Sequence, residues 1–330
     1  MLVARLVLAL ALFSVACGEE TVVAPHETAD PVEYLDEALD IIETRALNRD
    51  EVTWDSARTV AHQLAHDADT PAGTYDAITF ALRQLGDNHS FLVPASQAGA
   101  LEGTSTVDES QLPHGEILEE RVGYIWLPGL LGAGVQATAY ARAAQDIIES
   151  FDGEHRPCGW IVDLRDNDGG NMWPMLVGIG PLLNAAGSDE VGRFIDADGE
   201  AVSWFYDDGV ARVGDEVVTE LDADAYVLQD PDVHIAVLTG LRTASSGEAI
   251  AVAFRGRPNT RSFGMSTFGV STGNTAHPLS DGAMLVLTEV RFADRAGEIY
   301  GDRLAPDEPT SPSTGARVAA QTWLAEAADC

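Results

Sequence analysis

The chain of 330 residues contains no lysine: all 19 basic residues are arginine, against 53 acidic ones, for a net charge of -34. Any mechanism that needs a lysine amine is therefore closed. A surface this acidic repels phosphates and anionic lipid headgroups, which argues against nucleic acid as a partner. Cysteine is scarce as well, with three in the chain, too few for a disulfide framework to replace a core. With Cys17 set aside, Cys158 and Cys330 either pair in an oxidising compartment or stand as one buried and one exposed thiol. No apolar run reaches the roughly 20 residues that a membrane-spanning helix needs. What the chain does have is 45% hydrophobic residues, enough for a real core in one large domain or two modest ones.

The first segment differs in kind from the rest. A short basic start ending at Arg5, an apolar stretch from Leu6 to Phe13 and the small residues Ser14-Val15-Ala16 read as a signal peptide over residues 1–16. Cleavage before Cys17 suits lipoprotein processing, in which the new terminal cysteine is lipidated, or ordinary release of a soluble form. Residues 17–31 then form a polar tether. The expected location is the cell envelope, periplasm or outer surface, with membrane contact only through that anchor.

Residues 32–93 read as a small helical region. Val32, Leu35, Leu39, Ile42 and Ala46 recur at helical spacing. A second helix runs from Thr53 or Asp55 to His66, and a third is N-capped by Thr74 and ends at Gly86. From residue 94 to 330 the pattern becomes an alternation of α and β. Strands are expected at Val122–Leu127, Trp160–Leu164, Ile235–Thr239 and Met284–Thr288, and helices at 136–151, 172–184 and 246–255. Between them, Phe194 to Val227 reads as short antiparallel strands turning at Asp198-Gly199 and Asp208-Gly209.

The stretch VHIAVLTGLRTASSGEAIAVAFR places Ser245 in a tight turn between a buried strand and a helix. A hydroxyl at a helix N-terminus sits where free N–H groups and the macrodipole favour a developing anion. Plain helix capping is the alternative, because serine is a preferred cap.

Three motifs taken together carry more. The Thr243-Ala244-Ser245-Ser246-Gly247-Glu248 turn, the run Trp160-Ile161-Val162-Asp163-Leu164-Arg165-Asp166-Asn167-Asp168-Gly169-Gly170, and Leu85-Gly86-Asp87-Asn88-His89-Ser90 resemble, in order and spacing, the C-terminal processing peptidases, also called tail-specific proteases. The resemblance covers roughly residues 32 to 310. It implies an α/β fold, with a ββα core of the crotonase and Clp protease kind beneath the N-terminal helical region that carries His89. It also implies a serine peptidase that acts on peptide or protein substrates without a cofactor. The nucleophile three residues before the glutamate is Ser245, with Ser246 as the neighbouring alternative. The oxyanion would be held by the N–H of Ser246 and by one from Gly169 or Gly170.

Members of the better-known branch activate their serine with a lysine after a Gly-x-x-Thr-Phe-Gly stretch. Here that stretch is Gly264 to Gly269, and Val270 stands at the lysine position. The sequence is closer to the tricorn-like branch, whose base is a histidine in the place of His89, a residue type suited to deprotonating a hydroxyl near neutral pH. The adjoining serine, Ser90, follows the histidine rather than preceding it. For the acid behind the imidazole, Asp294, Glu298 and Asp302 lie in the right region, and Asp294 and Glu298 are the candidates. Only about 30 residues separate Ser90 from Gly123, too few for the peptide-binding PDZ domain that many relatives insert there, which takes on the order of 80–100 residues.

Other constellations weigh less. His62 and His66 share a helix face but lack a third ligand, and the Asp166-Asn167-Asp168 run lacks the glutamate that closes a calcium loop, so no metal is expected. Two further readings stay open: a binding or carrier protein on the same fold, and a hydrolase of non-peptide esters or amides.

Overall fold

The structure, a computed structural model, describes residues 30–99, 106–119, 121–183, 190–221, 223–311, 315–328 and 330. The expected signal peptide, Cys17 and most of the tether lie outside the described residues.

Asp30 caps helix α1 (Pro31–Arg45), its carboxylate accepting from the N–H groups of Val32 and Glu33, and Pro31 has no N–H to leave unpaired. The apolar stripe Tyr34, Leu35, Ala38, Leu39 and Ile42 is buried. Helices α2 (Trp54–Leu64) and α3 (Tyr75–Gln84) complete this region, α2 stopping short of the expected His66. Thr74 stands at the N-cap position of α3, but its hydroxyl donates to the Pro71 carbonyl and does not cap the helix. Gly86, at φ +64°, ends the third helix as expected.

Strand β1 (Phe91–Val93), the one-turn α4 (Ala95–Ala98) and β2 (His114–Leu118) fill the stretch before the core. There follow β3 (Val122–Trp126), α5 (Gly134–Glu154), β4 (Gly159–Asp163), α6 (Met172–Leu183), the meander β5 (Glu190–Asp196), β6 (Ala201–Asp207), β7 (Val210–Val213) and β8 (Glu216–Glu220), then β9 (His234–Thr239) and α7 (Ser246–Phe254). The chain ends with β10 (Thr260–Gly264), the hairpin β11 (Thr272–Pro278) and β12 (Met284–Ala293), β13 (Glu308–Pro309) and α8 (Gly315–Ala327).

Two sheets result. One has the order β13-β10-β9-β4-β3-β2, parallel except for the antiparallel β2. Its central strands β4 and β9 are buried almost throughout, as parallel strands must be when both faces are covered. The helices α5, α6 and α7 supply one cover, with Tyr140, Ile148, Leu176, Ile179 and Ile250 in its core. The other cover is α8, through Ala316, Ala320 and Leu324. The second sheet is antiparallel, in the order β1-β12-β5-β6-β7-β8, with β11 also paired to β12.

This second sheet joins the two ends of the chain. Leu279, Ala283, Leu285 and Leu287 of the β11–β12 hairpin share one core with α1 and α3. Each buried Leu or Ile is worth about 1.5–3 kcal/mol, so this shared core outweighs any single polar clasp. The clasp exists nevertheless: the hydroxyls of Tyr34 and Tyr75 both donate to the Asp281 carboxylate, at 2.8 and 2.5 Å. Cys158 and Cys330 form a disulfide across 172 positions, which pins the C-terminus beside β4. In the chain-entropy account a loop of that length is worth about 5 kcal/mol.

The α/β alternation read from the sequence corresponds to β3, α5, β4, α6, β9, α7 and β12. Strands β10 and β11 and helix α8 were not among the expectations. The sequence of β11, Thr-Gly-Asn-Thr-Ala-His-Pro, has no apolar alternation, and it is a strand because β12 offers it a ladder partner. The expected antiparallel stretch is β5 to β8, which begins earlier, at Glu190, and ends earlier, at Glu220.

Candidate active site

Parallel β4 and β9 are neighbours, so the turns that follow their carboxyl ends lie side by side, at the usual ligand position of an α/β sheet. After β4 the chain makes the Asp166 to Gly170 turn; after β9 it makes the Gly240 to Ser245 turn. Asn167 clips the two together. Fully buried, it donates to the carbonyls of Leu127 and Pro128, accepts from the Gly169 N–H, and takes the Ala244 N–H on its own carbonyl at 3.0 Å. In the sequence Asn167 looked like one more turn residue.

Ser245 sits at the N-cap of α7 with φ +51° and ψ -117°, a region that non-glycine residues enter only when the surroundings force them. The forcing group is Glu248. Its carboxylate, wholly buried, accepts from the Ser245 N–H at 3.0 Å, the Val270 N–H at 2.9 Å, the Gly269 N–H at 3.1 Å and the Thr267 hydroxyl. Burial pushes the Glu248 pKa up, against the pull of these four donors. Val270, at the lysine position of the resemblance, is buried, and it contributes to the site through its N–H alone.

His89 arrives from the turn between α3 and β1. Asp87 organises its turn, one carboxylate oxygen accepting from the N–H groups of His89 and Ser90 and the other from the Ser90 hydroxyl. Asn88 takes φ +54°, which asparagine tolerates better than most residues. Strand β11 then fixes His89 from the side, Asn274 Nδ2 donating to its carbonyl at 3.0 Å. The outcome is a contact across 156 positions: His89 Nε2 lies 3.0 Å from Ser245 Oγ. On the far side of the ring, Nδ1 lies 2.8 Å from Thr272 Oγ1. Burial lowers the His89 pKa to about 4, with the Asp87 charge opposing, so the ring is neutral at pH 7.

The glycine pair closes the site. A Cβ on Gly169, at φ +104°, would stand 2.8 Å from the Ser245 Cβ, so only glycine allows this approach. The Ser246 hydroxyl donates to the Gly170 carbonyl at 2.5 Å, tying the pair to the start of α7. Among the described residues, the N–H groups of Ser246 and Gly170 have no acceptor, whereas that of Gly169 is engaged by Asn167.

The acid candidates lie elsewhere. Asp294 accepts from the Tyr300 hydroxyl at 2.7 Å and from the N–H groups of Ala296 and Glu298, so its carboxylate holds its own turn. Glu298 is exposed, and it meets Asp294 through its backbone. Asp302 offers its carbonyl to Ser271. Both ring nitrogens of His89 are taken by hydroxyls, which corrects the expectation of Asp294 or Glu298 behind the imidazole. Thr272, Asn274 and Thr267 were missed because a lone threonine or asparagine in a polar strand carries no signal of its own.

The fold and its relatives define a serine-type peptidase. Residues 121–310 match the model of peptidase family S41, and the chain belongs to that family. It is 27% identical to a nisin-resistance protein of Lactococcus lactis subsp. lactis over 294 residues, 89% of this chain and 87% of the relative. Among solved structures it is similar to a lipoprotein from Streptococcus agalactiae, at TM-score 0.74 and 25% identity, covering 93% of this chain and 99% of the other. The photosystem II D1 C-terminal processing protease shares the fold, at TM-score 0.59 and 17% identity, covering 86% and 94%. As the short stretch between His89 and β3 requires, no PDZ domain is inserted among the described residues.

Proposed function

We propose that this chain is an exported peptidase that cleaves peptide bonds by acyl transfer, with Ser245 as nucleophile and His89 as general base. The observation that supports this reading best is the 3.0 Å approach of His89 Nε2 to Ser245 Oγ, beside two unengaged N–H groups. His89 accepts the serine proton as Oγ attacks the substrate carbonyl. The N–H groups of Ser246 and Gly170 receive the oxyanion, where such donors are worth roughly 10²–10³ in rate. Protonated His89 then gives its proton to the leaving amine, and water releases the acyl enzyme by the same route in reverse. Burial keeps His89 unprotonated at neutral pH, ready to accept the serine proton.

The similarity to a nisin-resistance protein makes nisin the first peptide to try. Labelling of the folded protein by a fluorophosphonate probe, lost in both Ser245→Ala and His89→Ala, is the expected result. Absence of labelling in the wild type would favour a carrier on the same fold, and cleavage of an ester panel but no peptide would favour the other hydrolase. Export rests on the leader and on the disulfide, which needs an oxidising compartment. Lipidation at Cys17 would appear as palmitate incorporation that Cys17→Ser abolishes.

A further inference from the structure

We propose that Thr272 is the positioning residue of this site: its hydroxyl accepts from the His89 Nδ1–H and so presents an unprotonated Nε2 to Ser245, in the place where serine hydrolases usually put a carboxylate. The proposal rests on reading Ser245 and His89 as a working pair.

A neutral imidazole carries one proton, and here a hydroxyl stands at each end of the ring, at 3.0 Å on the Ser245 side and 2.8 Å on the Thr272 side. Of the two tautomers, only the one with the proton on Nδ1 leaves Nε2 free to act as a base. Thr272 is built to hold that end. It is buried, its backbone is paired with Arg291 in the β11–β12 ladder, and its β-branched side chain is stiff. Two residues on, just past a register shift in the β11–β12 ladder, Asn274 holds the His89 carbonyl, and Thr288, its partner across the ladder, donates to the Asn274 side chain at 2.8 Å. One strand thus grips His89 by ring and by backbone.

Among the described residues, no carboxylate is hydrogen-bonded to the ring. Among the groups facing His89, Asp87 from its own turn is spent on the His89 N–H, the Ser90 N–H and the Ser90 hydroxyl. Glu248, from α7, is spent on four other donors. Strands β11 and β12 present the uncharged Thr272, Asn274 and Thr288. A hydroxyl orients the imidazole as a carboxylate would, but it lends no charge to the imidazolium. The lowered His89 pKa agrees with that division of labour.

The test is the second-order rate of fluorophosphonate labelling from about pH 3 to 9, a profile whose acid limb reports the base. Thr272→Val is expected to stay folded, with a urea midpoint lowered by the one donor it orphans, and to label roughly 10- to 100-fold more slowly at pH 7, and Thr272→Ser to recover most of the rate. Thr272→Asp places a carboxylate at Nδ1 and is expected to move the acid limb up by about 1–3 pH units. A merely structural threonine would change the urea midpoint and leave both the labelling rate of the folded protein and the limb in place. Wild-type rate and profile in Thr272→Val, or an unmoved limb in a folded Thr272→Asp, would overturn the proposal, and the aspartate variant decides the matter if the valine variant does not fold. Persistent labelling of His89→Ala would instead overturn the Ser245–His89 reading beneath it.

Discussion

Glu248→Gln is the sharpest probe of how the strained nucleophile turn is held. The carboxylate faces four donors and no acceptor of its own: the Ser245 and Val270 N–H groups on one oxygen, the Gly269 N–H and the Thr267 hydroxyl on the other. A glutamine must turn its NH₂ toward one of these pairs. Facing Ser245 and Val270 it would orphan two buried N–H groups. Facing Thr267 and Gly269 it orphans one, because the hydroxyl can rotate to accept. The second arrangement is cheaper and leaves one orphan, at about 1–3 kcal/mol. The bonds to Ser245 and Val270 also lose their ionic component, and the relief of an expensive buried charge offsets part of that loss. The expected net cost is about 2–4 kcal/mol, read from urea unfolding followed by tryptophan fluorescence at pH 7. With the Ser245 N–H bond weakened, the φ +51° conformation loses its support, and fluorophosphonate labelling should slow by about tenfold or more. A variant within about 0.5 kcal/mol of wild type that labels at the wild-type rate would show that the Glu248 network does not hold the turn.

The His89 shift gives a pH prediction with a definite sign. The unfolded chain takes up a proton on this residue near pH 6.5 and the folded chain only near pH 4, so the stability it contributes is intact above 6.5 and is lost as pH falls through that window. The loss approaches about 3 kcal/mol and should appear as the difference in urea midpoint between wild type and His89→Gln at pH 7 and again near pH 4; equal differences at both would refute it. Gly169→Ala would set a methyl group 2.8 Å from the Ser245 Cβ at φ +104°. It should cost roughly 2–5 kcal/mol in stability and at least about 100-fold in labelling, and near-wild-type labelling would mean that the glycine turn does not pack on the nucleophile.

The sequence carried the local decisions. The Asp30 cap, the stripe of α1, the buried runs of β4 and β9 and the turn before α7 are each written within a dozen neighbouring residues, where spacing and turn chemistry act directly. The absence of lysine decided by composition alone that the base had to be another residue type. Tertiary structure decided the partners. His89 follows α3 and Ser245 precedes α7, helices that pack into different hydrophobic cores, and they meet because the β11–β12 hairpin packs under α1 and α3 while pairing into the sheet. Thr272 and Asn274 lie on a strand with no pattern of its own, so their contacts with His89 depend on a ladder register that no local signal encodes. Asp294 drew attention as an acid in the right region of the chain, yet its lone pairs are satisfied within its own turn. Local sequence sets which chemistry a residue can offer, whereas the hydrogen bonds that direct it depend on distances fixed only when remote segments pack.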